Sequence, residues 1–178
     1  IINDRLMIYE LKHLSKTNSF AEDVRIGLTS KNKYLLPKYF YDSKGSELFE
    51  KICDTEEYYP TRTELSILKN LSDRISERNK EKNLIVELGS GSSVKTNYIL
   101  TSLLKFRDKL HYVPIDVSKI LIESSKVLIE KYDKLYITGL ISFYQEGIDF
   151  IFSIDKSPKL ILFLGSSIGN FEQKDAID

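Results

Sequence analysis

The spacing of apolar residues along this 178-residue chain changes character near residue 84. Before it, Leu65, Leu68, Leu71 and Ile75 recur at three- and four-residue steps. They follow Pro60 and the capping-box pattern Thr61-x-x-Glu64, so the spacing predicts a helix over about 62–78. Ser46-Glu-Leu-Phe-Glu-Lys-Ile-Cys53 predicts a shorter helix with Leu48, Phe49 and Ile52 on one face. The rest of the first 60 residues is rich in tyrosine and shows no clean alternation of strand and helix signals. Asn79 to Asn83 reads as a charged linker.

From Leu84 onward, short apolar runs alternate with segments of helical period. Strands are expected near 84–88, 111–115, 134–139 and 160–164, and helices near 94–106, 118–132 and 145–154. Leu121, Ile122, Ser125, Leu128 and Ile129 give the second of these helices its inward face. Three βα units and a fourth strand make an α/β fold with a parallel sheet. Right-handed crossovers order its strands 3-2-1-4, with ligands expected where the order reverses. Two regions follow, a helical N-terminal region over 1–60 and a Rossmann-like domain over 61–178 that is incomplete at its C-terminal end. Ile1 is not an initiator methionine, and a helix beginning near Glu172 stops within its first turns, so the chain reads as a fragment of a longer protein.

Composition removes several function classes. Lys plus Arg and Asp plus Glu are 26 each, so no basic field points to nucleic acid. No apolar stretch approaches the ~20 residues needed to span a bilayer, and the N-terminus lacks the order of a signal peptide. Cys53 is the only cysteine, which fits a reducing cytoplasm. With His13 and His111 as the only histidines, no metal-ligand spacing is visible, and no metal is expected.

The chemistry concentrates in Leu84-Ile-Val-Glu-Leu-Gly-Ser-Gly-Ser-Ser-Val-Lys-Thr96, an apolar run that ends in Glu87 and turns through Gly89-Ser-Gly91. Such a turn lets a ligand approach the main chain at the carboxyl end of a strand. Three readings compete. A dinucleotide fingerprint needs a third glycine where Val94 stands. A P-loop fits Gly89 to Thr96 except at the same valine, and the magnesium-holding acid expected at the end of another buried strand is replaced by Gly165-Ser166-Ser167. The third reading is the S-adenosylmethionine (SAM) site of a class I methyltransferase, which suits a carboxylate followed by Gly-x-Gly. Asp116, at the tip of the next strand, stands where a ribose diol would be held, although it also suits an N-cap before Val117-Ser118.

Four segments occur in an order that resembles one family: Phe40-Tyr-Asp-Ser-Lys-Gly-Ser-Glu-Leu-Phe-Glu50, Glu57-Tyr-Tyr-Pro-Thr-Arg-Thr-Glu64, Glu87-Leu-Gly-Ser-Gly91 with Lys95-Thr96, and Phe163-Leu-Gly-Ser-Ser-Ile-Gly-Asn-Phe171. Together they resemble the histidine-specific SAM-dependent methyltransferases, from about Ala21 to the last residue. The resemblance implies a class I methyltransferase fold and methyl transfer to the α-amino nitrogen of an amino acid, with L-histidine favoured, as in hercynine and ergothioneine formation. It implies SAM contacts at Gly89, Lys95 and Asp116, beside Glu87 and Gly91 of the glycine turn. Phe143 and Tyr144 fall on an adenine-side loop, although many bacterial members carry Asp-Phe there. Tyr58 and Asn170 match positions that hold the substrate's amino-acid end, and Tyr41 matches a tyrosine at the edge of the site. The expected protein is a cytoplasmic monomer acting on a small amino-acid substrate, with neither nucleic acid nor membrane as partner. The reading from another class is a non-catalytic SAM- or nucleotide-binding module, with a P-loop NTPase behind it.

Overall fold

The computed structural model describes residues 4–11, 19–40, 42–171 and 173–177. Five strands, β1 (Leu6–Glu10), β2 (Leu84–Leu88), β3 (Leu110–Asp116), β4 (Leu135–Ile141) and β5 (Lys159–Phe163), form one sheet in the order β1-β4-β3-β2-β5. Every pairing is parallel. The expected 3-2-1-4 arrangement is present as β4-β3-β2-β5. The additional strand, β1, lies at the outer edge in the segment that the sequence pattern assigns to the helical N-terminal region.

Five residues without flanking turn signals give β1 little to be recognised by; its partners make it a strand. Leu6 pairs with Ile137 and Ile8 with Gly139. A Cβ on Gly139 would lie 2.6 Å from both Ile8 Cδ1 and Leu121 Cδ2, so the glycine lets strand and helix close over β4. The Arg5 guanidinium donates to the carbonyls of Tyr132 at 2.7 Å, Ile129 at 3.1 Å and Leu135 at 3.3 Å, fixing the start of β1 against the segment that leads into β4.

The helices are α1 (Phe20–Thr29), α2 (Ser43–Cys53), α3 (Tyr59–Arg78), α4 (Thr96–Leu104), α5 (Ile120–Lys131), α6 (Tyr144–Ile154) and α7 (Gln173–Ile177). Alternate residues of a strand point to opposite faces, and β2 divides accordingly. Ile85 packs with Leu68 of α3, Ile99, Leu100 and Leu103 of α4 and Leu128 of α5. Leu84, Val86 and Leu88 pack with Ile151 of α6 on the other face. On α5, Leu121, Ser125, Leu128 and Ile129 are buried as the spacing predicts.

Two N-terminal expectations are corrected. The helix α3 begins at Tyr59 with Tyr58 as N-cap and Pro60 in its first turn, so Thr61 and Glu64 form no capping box. Proline's fixed φ and missing N–H suit that position, and they set the start two residues ahead of the threonine. The helix α2 begins at Ser43, because the side chain of Asp42 accepts the N–H of Gly45 and caps it. Its apolar face is only partly covered: Leu48, Phe49 and Ile52 remain 42–47% exposed.

Leu6 is fully buried and ties β1 into the larger core cluster. Leu6→Ala is expected to cost about 2–4 kcal/mol of unfolding free energy. Urea titration checks it, and a loss below ~1 kcal/mol would mean that β1 is a loosely attached edge.

Candidate functional site

The carboxyl ends of β2, β3, β4 and β5 lie around the turn that follows β2. Gly89 (φ 71°) and Gly91 (φ 48°) both lie in the left-handed region. The N–H of Gly89 donates to Ile115 O at 2.8 Å, which fastens the turn to the neighbouring strand. A Cβ on Gly89 would come within 2.6 Å of the Tyr144 hydroxyl, while one on Gly91 would meet nothing within 4 Å. The turn is therefore closed over Gly89 and open at Gly91. The third left-handed residue is Ser93 (φ 56°), and Val94 takes no positive φ. The valine that spoils both phosphate-loop patterns does so because the bend falls one residue earlier.

Asp116 leaves the tip of β3 and meets this turn. One carboxylate oxygen accepts the N–H of Gly91 at 2.8 Å, and the other accepts the N–H of Ser118 at 2.8 Å. The helix-cap reading of Asp116 is not borne out, since α5 begins at Ile120 with Lys119 at its N-cap position and Asp116 instead closes a turn onto Ser118; its carboxylate keeps acceptor capacity for a ligand. Burial pushes its carboxyl above the ordinary range, opposed by the backbone N–H groups of Ser118, Gly91 and Val117.

Glu87 faces inward rather than toward the open turn. It is almost fully buried, and its two oxygens accept the hydroxyls of Thr96, the first residue of α4, and Tyr112 of β3. Since the Tyr112 hydroxyl is committed to Glu87, the Ser93 hydroxyl 3.1 Å away is left to donate to the phenolic oxygen. This chain holds the strained serine in place. Burial raises the Glu87 carboxyl to about 7, with Thr96 and Tyr112 opposing, Asp116 adding to the rise and Lys95 counteracting it. Burial, and then the charge of Glu87, push the Tyr112 phenol up as well. The sequence does not single out Tyr112, yet strand alternation and the β2–β3 register put it on the same face as Glu87.

Lys95 precedes α4, and its ammonium lies 2.6 Å from Glu64 of α3. After β5 the chain passes through Gly165 (φ 79°) and Ser166 (φ 59°) into a 3-10 turn, Ser167–Asn170, which ends at Asn170. Tyr144, first residue of α6, stacks edge-on with Phe163 at 5.5 Å and lies 5.9 Å from Phe171, making an aromatic wall beside Gly89. Phe143 is the N-cap of α6 and 41% exposed, so the two residues of the pair face different surroundings. Tyr58 packs edge-on against Phe49 of α2 at 5.9 Å. Gly89, Gly91, Glu87, Asp116 and Tyr144 are therefore brought together around one turn. Tyr58 and Asn170 lie on separate segments linked through Glu64, and Tyr41 lies outside the described residues. No helix among the described residues is long and apolar enough to cross a membrane.

A parallel sheet with helices on both faces, a left-handed glycine turn after one central strand and a carboxylate at the tip of the next defines a Rossmann-like α/β protein of the class I methyltransferase type. Sequence comparison gives the family. The chain belongs to the family described as "Histidine-specific methyltransferase, SAM-dependent", whose pattern matches residues 20–178. The family's cofactor is S-adenosyl-L-methionine. The chain is 38% identical over 157 residues to the histidine N-alpha-methyltransferase of Mycolicibacterium smegmatis, covering 88% of this chain and 48% of that protein. It is 34% identical over 138 residues to ergothioneine biosynthesis protein 1 of Neurospora crassa, covering 76% of this chain and 16% of that protein. It is 27% identical over 176 residues to the 4-dimethylallyltryptophan N-methyltransferase of Claviceps purpurea, covering 96% of this chain and 51% of that protein. The chain thus spans about half the length of the Mycolicibacterium and Claviceps proteins it matches.

The raised carboxyl of Glu87 has a measurable sign. It titrates near 4.5 in the unfolded chain and near 7 when folded, so the folded state binds the proton more tightly between those values. That stabilisation is complete below the lower value and is lost as the pH rises through the higher one. Relative to Glu87→Gln, which does not titrate, the wild-type protein is expected to lose about 3 kcal/mol of unfolding free energy between pH ~4.5 and ~8. Urea unfolding of both proteins across that range checks it, and a pH-independent difference would rule the titration out.

Proposed function

We propose that this chain is the cofactor-binding part of a SAM-dependent N-methyltransferase whose acceptor is the α-amino nitrogen of an amino acid, with L-histidine the favoured substrate. The observation that carries the reading is the 38% identity, across 88% of the chain, to a protein named for that reaction. The geometry around Gly91 and Asp116 fits the cofactor: an open left-handed glycine beside a carboxylate with lone pairs to spare. Ser90 of the turn adds a buried hydroxyl that makes no hydrogen bond among the described residues.

Asp116 would accept the two ribose hydroxyls, Gly89 and Gly91 would let the cofactor lie against the backbone, and Lys95 would meet its amino-acid end. Tyr144 and Phe143 would flank the base. Glu87 acts behind the turn, holding its shape through Tyr112 and Thr96. When bound, SAM supplies a methyl group on a positively charged sulfur, ready for in-line attack. The chain's own task is then to align an amine and keep its lone pair available. A free α-amino group titrates near 8, so a useful share is neutral at physiological pH without a strong base. Tyr58 and Asn170 would accept N–H bonds from that amine through uncharged oxygens and orient it, with Tyr41 at the rim. In this reading the region over 1–60 contributes to the substrate site of the domain over 61–178. We also take the protein to be a cytoplasmic monomer that binds neither nucleic acid nor membrane. Its balanced charge and single cysteine support this.

The likeness to the Claviceps protein favours one second reading, an indole-bearing amino acid as acceptor. Competition between L-histidine and 4-dimethylallyltryptophan in a methyl-transfer assay separates the two.

Calorimetric titration is expected to show binding of S-adenosylhomocysteine and none of Mg-ATP; the reverse pattern would end the methyltransferase reading. Asp116→Ala is expected to weaken S-adenosylhomocysteine binding about ten- to a hundredfold, through loss of charge-assisted hydrogen bonds.

Tyr58→Phe and Asn170→Ala are expected to reduce L-histidine turnover by about tenfold or more, because reacting atoms must approach to ~3–3.5 Å. Affinity for S-adenosylhomocysteine should stay within about twofold in both variants, by the same argument. Steady-state kinetics beside calorimetry checks the split, and equal losses in both quantities would remove these two residues from the substrate site.

A further inference from the structure

Glu64 leaves its own helix to serve two other segments. One carboxylate oxygen accepts the N–H of Gly165 at 2.8 Å, and the other lies 2.6 Å from Lys95 Nζ. The first turns of α3, the start of α4 and the loop after β5 therefore meet on a single carboxylate. The pair is shielded, with side-chain exposures of 23% for Lys95 and 26% for Glu64, so solvent screens it less than a surface ion pair. Gly165 is shaped for the contact. Its left-handed φ of 79° disfavours other residues, and a Cβ there would lie 2.9 Å from the Lys95 ammonium.

We infer that Glu64 is a positioning residue that fixes Lys95 and the Gly165–Asn170 loop in register, coupling the cofactor half of the site to the substrate half. The inference rests on the methyltransferase reading above. A free lysine side chain samples many rotamers, and a fixed partner removes that freedom before a ligand arrives. An ammonium has three donors, so Glu64 leaves N–H groups of Lys95 for an anionic group of the cofactor. The same carboxylate, through Gly165, anchors the segment that carries Asn170. Because Tyr58 caps the helix that bears Glu64, the carboxylate also sets where that helix end stands relative to the loop.

Two substitutions separate the two arms. Glu64→Gln keeps an oxygen acceptor for the Gly165 N–H and removes the charge that holds Lys95; Glu64→Ala removes both. Glu64→Gln is expected to weaken S-adenosylhomocysteine binding about five- to tenfold. It should leave L-histidine binding to the S-adenosylhomocysteine complex within about twofold, whereas Glu64→Ala weakens both by about fivefold or more. Combining Glu64→Gln with Lys95→Met should give no greater loss of S-adenosylhomocysteine affinity than Lys95→Met alone, since one residue acts through the other. Thermal unfolding run alongside identifies a purely structural role, which would lower Tm and leave the folded protein's affinities unchanged. If Glu64→Ala does not fold, Glu64→Gln and its double variant still decide. Unchanged or tighter S-adenosylhomocysteine binding in Glu64→Gln, or additive losses in the double variant, would overturn the inference. A wild-type protein that binds no S-adenosylhomocysteine overturns the methyltransferase reading first; a binding wild type with an insensitive Glu64→Gln overturns this one alone.

Discussion

A carboxylate buried near the end of β2 imposes the main constraint on this fold. Glu87 sits where a charge is costly, and hydroxyls from the adjacent strand and the next helix satisfy it. Its partners fix where α4 begins, because Thr96 opens that helix, and how β3 faces, because Tyr112 must point at the same side as Ile85. Through Tyr112 the constraint reaches Ser93, whose left-handed backbone needs an external restraint to persist in a residue with a side chain. The shape of the glycine turn is thus determined from behind, by buried groups of β2, β3 and α4.

In front of the turn the logic is different. Gly91 is held by Asp116 through its N–H and by Ser124 through its carbonyl, so β3 and α5 clamp one residue through the peptide units on either side of it. This rigidity suits a binding surface, since a ligand then meets groups already in place. The aromatic wall of Tyr144, Phe163 and Phe171 closes one flank and Lys95 with Glu64 another. Order in the site comes from many short links between neighbouring strand ends.

Strands β2 to β5 were legible because each carries its own signal: an apolar run, a turn, then a helical period. Glu87 and Asp116 were legible as acids at strand tips, but the direction Glu87 faces was not. That depends on Tyr112 and Thr96, whose proximity follows only from the pairing of β2 with β3 and the return of α4. The strand β1 was missed because Leu6 and Ile8 alternate too briefly to stand out, and their partners Ile137 and Gly139 lie far along the chain. Glu64 was misread for a related reason. A Thr-x-x-Glu spacing is a local signal, and Gly165 and Lys95 outbid it from a distance. Local patterns predict local structure well until a buried partner elsewhere competes.

The edge position of β1 also bears on the order in which the molecule assembles. Strands β2, β3 and β4 follow one another through single helices, so each can dock on its predecessor with modest loop closure. The strand β1 must instead find β4 across about 130 residues, as the bond from Arg5 to Leu135 shows. Contacts of such separation are late rewards in folding, since the connecting chain must be ordered before they form. The slot that Ile8 of β1 enters, between Gly139 and Leu121, exists only once β4 and α5 are already packed. The N-terminal strand is therefore expected to lock after β2, β3 and β4 and to release before them. Its amides would exchange with solvent through a partial opening that leaves the glycine turn and its buried carboxylate intact.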